Sequence, residues 1–379
     1  MNGGGIPIAR IFGLEVRVHL SWVLIIAIIT IGVGGQYAVL NPEWPTLTVW
    51  LASGAVALLF FGSVVVHELA HGVVARRRGL GGGVVTLMFF GGATTIGQEA
   101  RRPSDEATIA VAGPIASFAL AAAFAAIWQA IGRTADVTVE SVAESAFVLA
   151  VLNLLLGAIN LLPVYPLDGG RLIRAALWKA LHDEHRANRG VAITGRLVGY
   201  VMIALGILVA VQNDPLDGVL LIVSGWFLTN ASRSLERRAA LEQMLAGVRV
   251  DTVMDRDLPA VSPYLTLDTF AAQYLGVSQA TSLPVIRGDD LLGLIGMAQL
   301  RRIPKRSWPT TRAADAMVAT PALQSLAPDD ELWPAVERLR RTGLDGLPVM
   351  QGSELLGILT RRGVVAAIQA KARTAGVST

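Results

Sequence analysis

The sequence predicts a polytopic α-helical membrane domain followed by a soluble α/β domain, and three observations carry this. Of its 379 residues 53% are hydrophobic and only 16% charged, with a mean hydropathy of +0.53, too apolar for an ordinary soluble fold. Apolar stretches near 19–35, 48–75, 106–131, 144–163, 193–212 and 216–231 each approach the roughly 20 residues a bilayer requires, giving about six spans. Beyond residue 240 those runs stop, and a motif repeats at an offset of about 63 residues, Met254 returning as Met317.

Taken in order, Arg10 and Arg17 precede the first apolar run, and no small-residue cleavage site follows it, so it reads as a retained span. The stretch 79–97, GLGGGVVTLMFFGGATTIG, is too broken by glycine for a helix and rich in Val, Thr and Phe, which predicts a short membrane-associated β-hairpin. Such backbone persists at membrane depth only where protein covers it or water reaches it. Arg10, Arg17, Arg76 to Arg78, Arg101, Arg102, Arg171 to Arg189 and Arg233 to Arg238 flank the spans on one side. The opposite loops carry only Arg133. The positive-inside rule then predicts both termini in the cytoplasm, and the expected setting is the plasma or inner membrane, with lipid around the spans. With a net charge of +3 and no basic, aromatic-interleaved surface, no nucleic-acid partner is expected.

The chain has no cysteine and five histidines, so any metal must be held by His, Asp or Glu. Residues 67–71 read HELAH inside the second apolar stretch. Positions four apart share a helix face, so His67 and His71 can reach one ion, with Glu68 beside them turned to an adjacent water. An ionisable group at membrane depth costs roughly 2.5–3.5 kcal/mol on insertion scales, and a shared cation compensates for it. This points to one zinc per chain with a coordination position open to water. Among other ligands, His19 reads as an interfacial histidine, and His182 and His185 lie in the polar connection LHDEHRANRG. Asp168, just past the break that Pro163 and Pro166 make after the fourth span, is a better third ligand; a helix N-cap is the competing use of that aspartate.

Together, HELAH, FGG (Phe90, Gly91, Gly92), AGP (Ala112 to Pro114) and NLLPVYPLDGGR (Asn160 to Arg171) resemble, in order and spacing, the site-2 protease family of intramembrane zinc metalloproteases. The resemblance implies that His67, His71 and Asp168 are zinc ligands, that Glu68 is the general base and that Asn160 helps hold substrate and oxyanion. It also implies cleavage of single-span membrane proteins such as anti-sigma factors, in regulated intramembrane proteolysis. An extended substrate could pair with the strand around Gly91 and Gly92, for which plain turn formation is the alternative. One departure stands at Ser117, a position the family commonly fills with Asn.

The C-terminal repeat, over about 248–371, resembles a tandem pair of cystathionine-β-synthase (CBS) modules, so the expected domains are a protease domain at 1–239 and modules at 248–306 and 310–371. Nucleotide-binding members end each copy with a Gly-hydrophobic-hydrophobic-Ser/Thr-x-x-Asp run. Here the second copy keeps Thr360 but lacks the Asp, and the first, Gly293 to Gln299, lacks both. Homodimerisation or protein contact is therefore the favoured use over adenine nucleotide, with Arg361 and Arg362 as remaining phosphate contacts. The rival class is a CBS-gated transporter or channel with a structural metal, which leaves the glutamate between two i, i+4 histidines unexplained.

Overall fold

In the computed structural model the described residues are 5–374, except 82, 89–90, 96–99, 133–135, 213–214, 276–281, 289 and 343. Phe90 and Arg133, both used above, lie outside them. The chain divides into two compact units, Gly3–Ala239 and Ala240–Thr379.

The first unit opens with two strands, β1 (Ile6–Ile11) and β2 (Leu14–Val18), before the first long helix. The sequence predicts only the flank of a span here, and the structure forms two strands instead. Their signal is the alternation of Leu14, Val16 and Val18 with Glu15 and Arg17, joined to β1 by a tight turn in which Phe12 and Gly13 both have positive φ. Two further strands, β3 (Val84–Met88) and β4 (Gly91–Thr95), form the hairpin expected in the glycine-rich stretch. The four make one sheet in the order β1-β2-β3-β4, β2 lying parallel to β3 with Glu15 opposite Val84 and Val18 opposite Leu87. Leu14, Val16, Val85 and Leu87 point to one face, the period-2 pattern of a half-buried sheet. That face packs on Trp22, Val64 and Leu69.

The helices are α1 (Ser21–Leu40), α2 (Thr46–Arg77), α3 (Pro103–Ile131), α4 (Val137–Asn160), α5 (Asp168–Leu181), α6 (Glu184–Gln212) and α7 (Pro215–Leu245). Among the described residues five of them, α1, α2, α3, α4 and α6, are long and apolar enough to cross a membrane. The sixth expected stretch, 216–231, lies inside α7, where Asp217 and Asn230 bracket a shorter apolar run. Helix α2 has 32 residues, about 48 Å at 1.5 Å per residue, against a hydrocarbon core of about 30 Å. Two prolines end the helical run after α4, and the loop returns through a cis Tyr165–Pro166 bond into α5. There a Cβ on Gly169 would fall 2.2 Å from the Leu161 carbonyl oxygen and one on Gly170 2.5 Å from the Tyr165 nitrogen. Only glycine lets the first turn of α5 rest on that loop.

In the second unit, hairpins β5 (Ser282–Arg287)/β6 (Asp290–Gly296) and β8 (Gly346–Gln351)/β9 (Glu354–Thr360) have matching registers. Each carries one irregularity at the same place, between Val285 and Ile286 and between Val349 and Met350. The short strand β7 (Val318–Ala319), which opens the second copy, pairs with β6 of the first. Asp255, from the start of the first copy, bridges to Ile358 of β9. Each copy thus lends its opening segment to the other's hairpin. One core gathers Val261, Phe270, Leu283 and Ile295, the other Leu326, Leu332, Leu347 and Leu359.

Candidate metal centre

His67 and His71 project from one face of α2, and both are 3% exposed. Asp168, the first residue of α5 rather than its N-cap, is 7% exposed. Its Oδ2 lies 3.2 Å from His67 Nε2 and 3.1 Å from His71 Nε2, and the two nitrogens are 3.3 Å apart. Ligand atoms on a tetrahedral zinc, at bond lengths of about 2.0–2.1 Å, stand roughly 3.3–3.4 Å from one another. The triangle therefore fits such an ion. Among the described residues this is the one group of three or more potential ligands converging on a point.

Both imidazoles are held from behind. His71 Nδ1 donates to the Ile109 carbonyl over 2.7 Å; a carbonyl only accepts, so Nδ1 carries the proton and Nε2 presents its lone pair. The same tautomer at His67 lets Nδ1 donate to Ser117 Oγ, 2.9 Å away. Both anchors lie on α3. Pro114, inside that helix, lacks the N–H that would close on the Ala110 carbonyl, which loosens the ladder beside Ile109. Gly113 lies between the anchors, with its Cα hydrogen directed at the nitrogens. A Cβ there would fall 2.3 Å from His71 Nε2 and 2.6 Å from His67 Nε2.

Behind Asp168 lies a charged network. Arg171 NH1 is 4.0 Å from Asp168 Oδ1, while its Nε donates to Glu106 Oε1 at 2.9 Å. Arg174 reaches Glu106 Oε2 at 3.5 Å, Glu184 Oε1 at 3.4 Å and Asn188 Oδ1 at 3.1 Å. One turn before His67, Ser63 accepts a bond from the fully buried Asn153, fixing α4 against α2.

Glu68 is buried beside His67. Asn160 ends α4 with its amide donating to the Leu156 carbonyl at 2.8 Å. Gly91 and Gly92 open β4, opposite Met88 and Leu87. His19, paired with Ser21 Oγ, and the exposed His182 and His185 stay away from the cluster. Sequence reading missed the histidine anchors and the Glu106–Arg171–Arg174 network. Ser117 had a signal, its departure from the family pattern. The Ile109 carbonyl had none, because backbone groups leave no mark on side-chain patterning.

A multispanning helical protein with two histidines and an aspartate converging inside its membrane domain, and a glutamate adjacent to one of them, has the build of an intramembrane zinc metalloprotease. Comparison with known proteins agrees. The sequence model of peptidase family M50 matches residues 55–143 and 129–206, and that of the CBS domain matches 314–370. The chain is 37% identical over 357 residues to "Putative zinc metalloprotease Rip3" of Mycobacterium tuberculosis, covering 94% of this chain and 90% of that protein. It is 23% identical over 365 residues to "Zinc metalloprotease MJ0392" of Methanocaldococcus jannaschii, covering 96% of each. A solved structure, the site-2 protease from Methanocaldococcus jannaschii, is similar over 62% of this chain and 95% of that one, with 24% identity and a TM-score of 0.42. The chain belongs to peptidase family M50, the site-2 proteases, and is a multi-pass membrane zinc metalloprotease with a CBS domain.

Proposed function

We propose that His67, His71 and Asp168 hold one zinc per chain and that the site cleaves transmembrane segments of single-span proteins. The observation that carries this is the triangle of Nε2, Nε2 and Oδ2 atoms with sides of 3.1 to 3.3 Å, buried inside the helices. When bound, zinc supplies an acidified water and polarises the scissile carbonyl. Glu68, one residue from His67, would serve as the general base, taking a proton from the attacking water and handing it to the leaving amine. Asn160 stabilises the developing oxyanion once its amide exchanges the Leu156 carbonyl for substrate.

A transmembrane substrate hides its carbonyls in helical bonds, so it must be unwound before attack. Among the described strands β4 has one neighbour, β3. Its other edge can pair with an unwound substrate from Gly91 and Gly92 onward. Anti-sigma factors are the substrate type the family resemblance implies. Arg76 to Arg78 at the end of α2, Arg102 before α3, the arginines of α5 and early α6, and Arg233 to Arg238 in α7 mark one side. We assign that side, both termini and the CBS pair to the cytoplasm, in the plasma or inner membrane. The CBS pair acts as a regulatory, self-associating appendage.

The test is a Glu68→Gln variant against a membrane-embedded substrate. It should keep wild-type zinc while losing about 10²- to 10⁴-fold in cleavage rate. Cleavage within a fewfold of wild type would remove Glu68 as the base, and unchanged zinc in a His67→Ala, His71→Ala double variant would remove the metal assignment.

A further inference from the structure

We infer that Glu106 is a positioning residue that draws Arg171 away from Asp168 and so keeps that carboxylate available to the two histidines. This rests on the reading of Asp168 as a ligand. Asp168 and Arg171 lie one turn apart at the start of α5, a spacing at which a carboxylate and a guanidinium normally pair. A full pairing would occupy the carboxylate with two parallel bonds and reduce what it offers an ion.

The structure shows the pairing held open. Arg171 stands 4.0 Å from Asp168 Oδ1, and its Nε is given instead to Glu106 at 2.9 Å. Asp168 Oδ2 is left facing the histidine nitrogens. Glu106 comes from a different helix, the first turn of α3, and its side chain is 6% exposed. Arg174, 3.5 Å from Oε2, prevents it from swinging away. A buried carboxylate between two arginines is costly to place at a membrane helix end, and its geometry here serves to fix Arg171. Helix α3 thereby governs all three candidate ligands: His71 through Ile109, His67 through Ser117, and Asp168 through Glu106 and Arg171.

The experiment measures zinc affinity by chelator competition on the purified full-length protein, with the visible spectrum of the cobalt-loaded form as a second readout. Glu106→Gln should weaken zinc about 10- to 100-fold, the usual effect of losing a group that orients a ligand, and should shift the cobalt spectrum. Adding Arg171→Gln should bring affinity back to within about threefold of wild type, because the competing guanidinium is gone; a merely structural role for Glu106 predicts instead that zinc affinity follows the melting temperature of the variants, with no loss of affinity in a Glu106 variant that melts as wild type. Should Glu106→Gln not fold, Glu106→Asp, which retracts the carboxylate by one methylene, carries the same expectation with the same rescue. Wild-type affinity in the Glu106 variants, or a double variant as weak as the single, would overturn the inference. Asp168→Ala, run in parallel, separates the two readings. Wild-type zinc affinity there would sink the ligand assignment itself, whereas loss of zinc there with no effect at Glu106 would sink only the positioning role.

Discussion

At Gly113 the α3 backbone passes so near the imidazoles that a methyl group would fall 2.3 Å from His71 Nε2. Gly113→Ala should therefore cut zinc content at least about tenfold, while alanine's higher helix propensity leaves α3 intact; metal analysis beside circular dichroism checks both. Ser117→Ala removes the partner of His67 Nδ1 and should weaken zinc about 10- to 100-fold by chelator competition, since such partners fix ring orientation and tautomer. The convergence of His67 and His71 was legible because residues four apart share a helix face, and their apolar setting made an idle use costly. Asp168 was legible only jointly with the prolines before it, and the structure removes its N-cap reading by making Leu167 the cap. The supports were hidden because each depends on which turn of α3 faces α2 or α5, a tertiary fact. Nothing in PSDEAT announces that Glu106 faces two arginines from a helix about 65 residues later.

Among the elements, α6 and α7 meet along a seam of small residues. A Cβ on Gly199 would lie 2.3 Å from Thr229 Oγ1 and 2.7 Å from the Gly225 carbonyl oxygen, and one on Gly218 would lie 2.4 Å from Ala210 Cβ. Close approach of this kind is how membrane helices associate without a hydrophobic driving force, and it seats α7 beside α6 despite its shorter apolar run. Gly199→Val should force the pair apart and cost about 1–3 kcal/mol, read as a lower melting temperature in detergent. Gly35→Ala in α1, where a Cβ meets nothing within 4 Å, should be neutral or slightly stabilising. The long helices were readable as apolar stretches of spanning length. The β1–β2 hairpin was not, because its partner β3 arrives only after two membrane helices, at Val84, and a six-residue strand beside a span has too little pattern of its own.

For the whole molecule, two expectations concern the C-terminal unit. A periplasm-active reporter fused after Arg238 should be silent, in keeping with the arginine bias; strong activity there would reverse the topology. ATP and AMP should not bind at low micromolar concentration in calorimetry on the full-length protein. Thr360, the one hydroxyl retained from the nucleotide pattern, is 1% exposed and donates to Asp255 Oδ2 at 2.7 Å. That hydroxyl is thus already engaged by a carboxylate, and Arg361 faces Asp345 at 3.7 Å. The repeat itself was plain in the sequence, but that its two copies exchange their opening segments was not, since Asp255 and Ile358 are far apart along the chain. The metal cluster is likewise assembled from distant stretches, with two members on α2 and the third at the start of α5. During synthesis, a nascent chain that has not yet reached Asp168 has only two of the proposed ligands. On that proposed ligand set, the site is complete only once α5 has been translated and has brought Asp168 against α2.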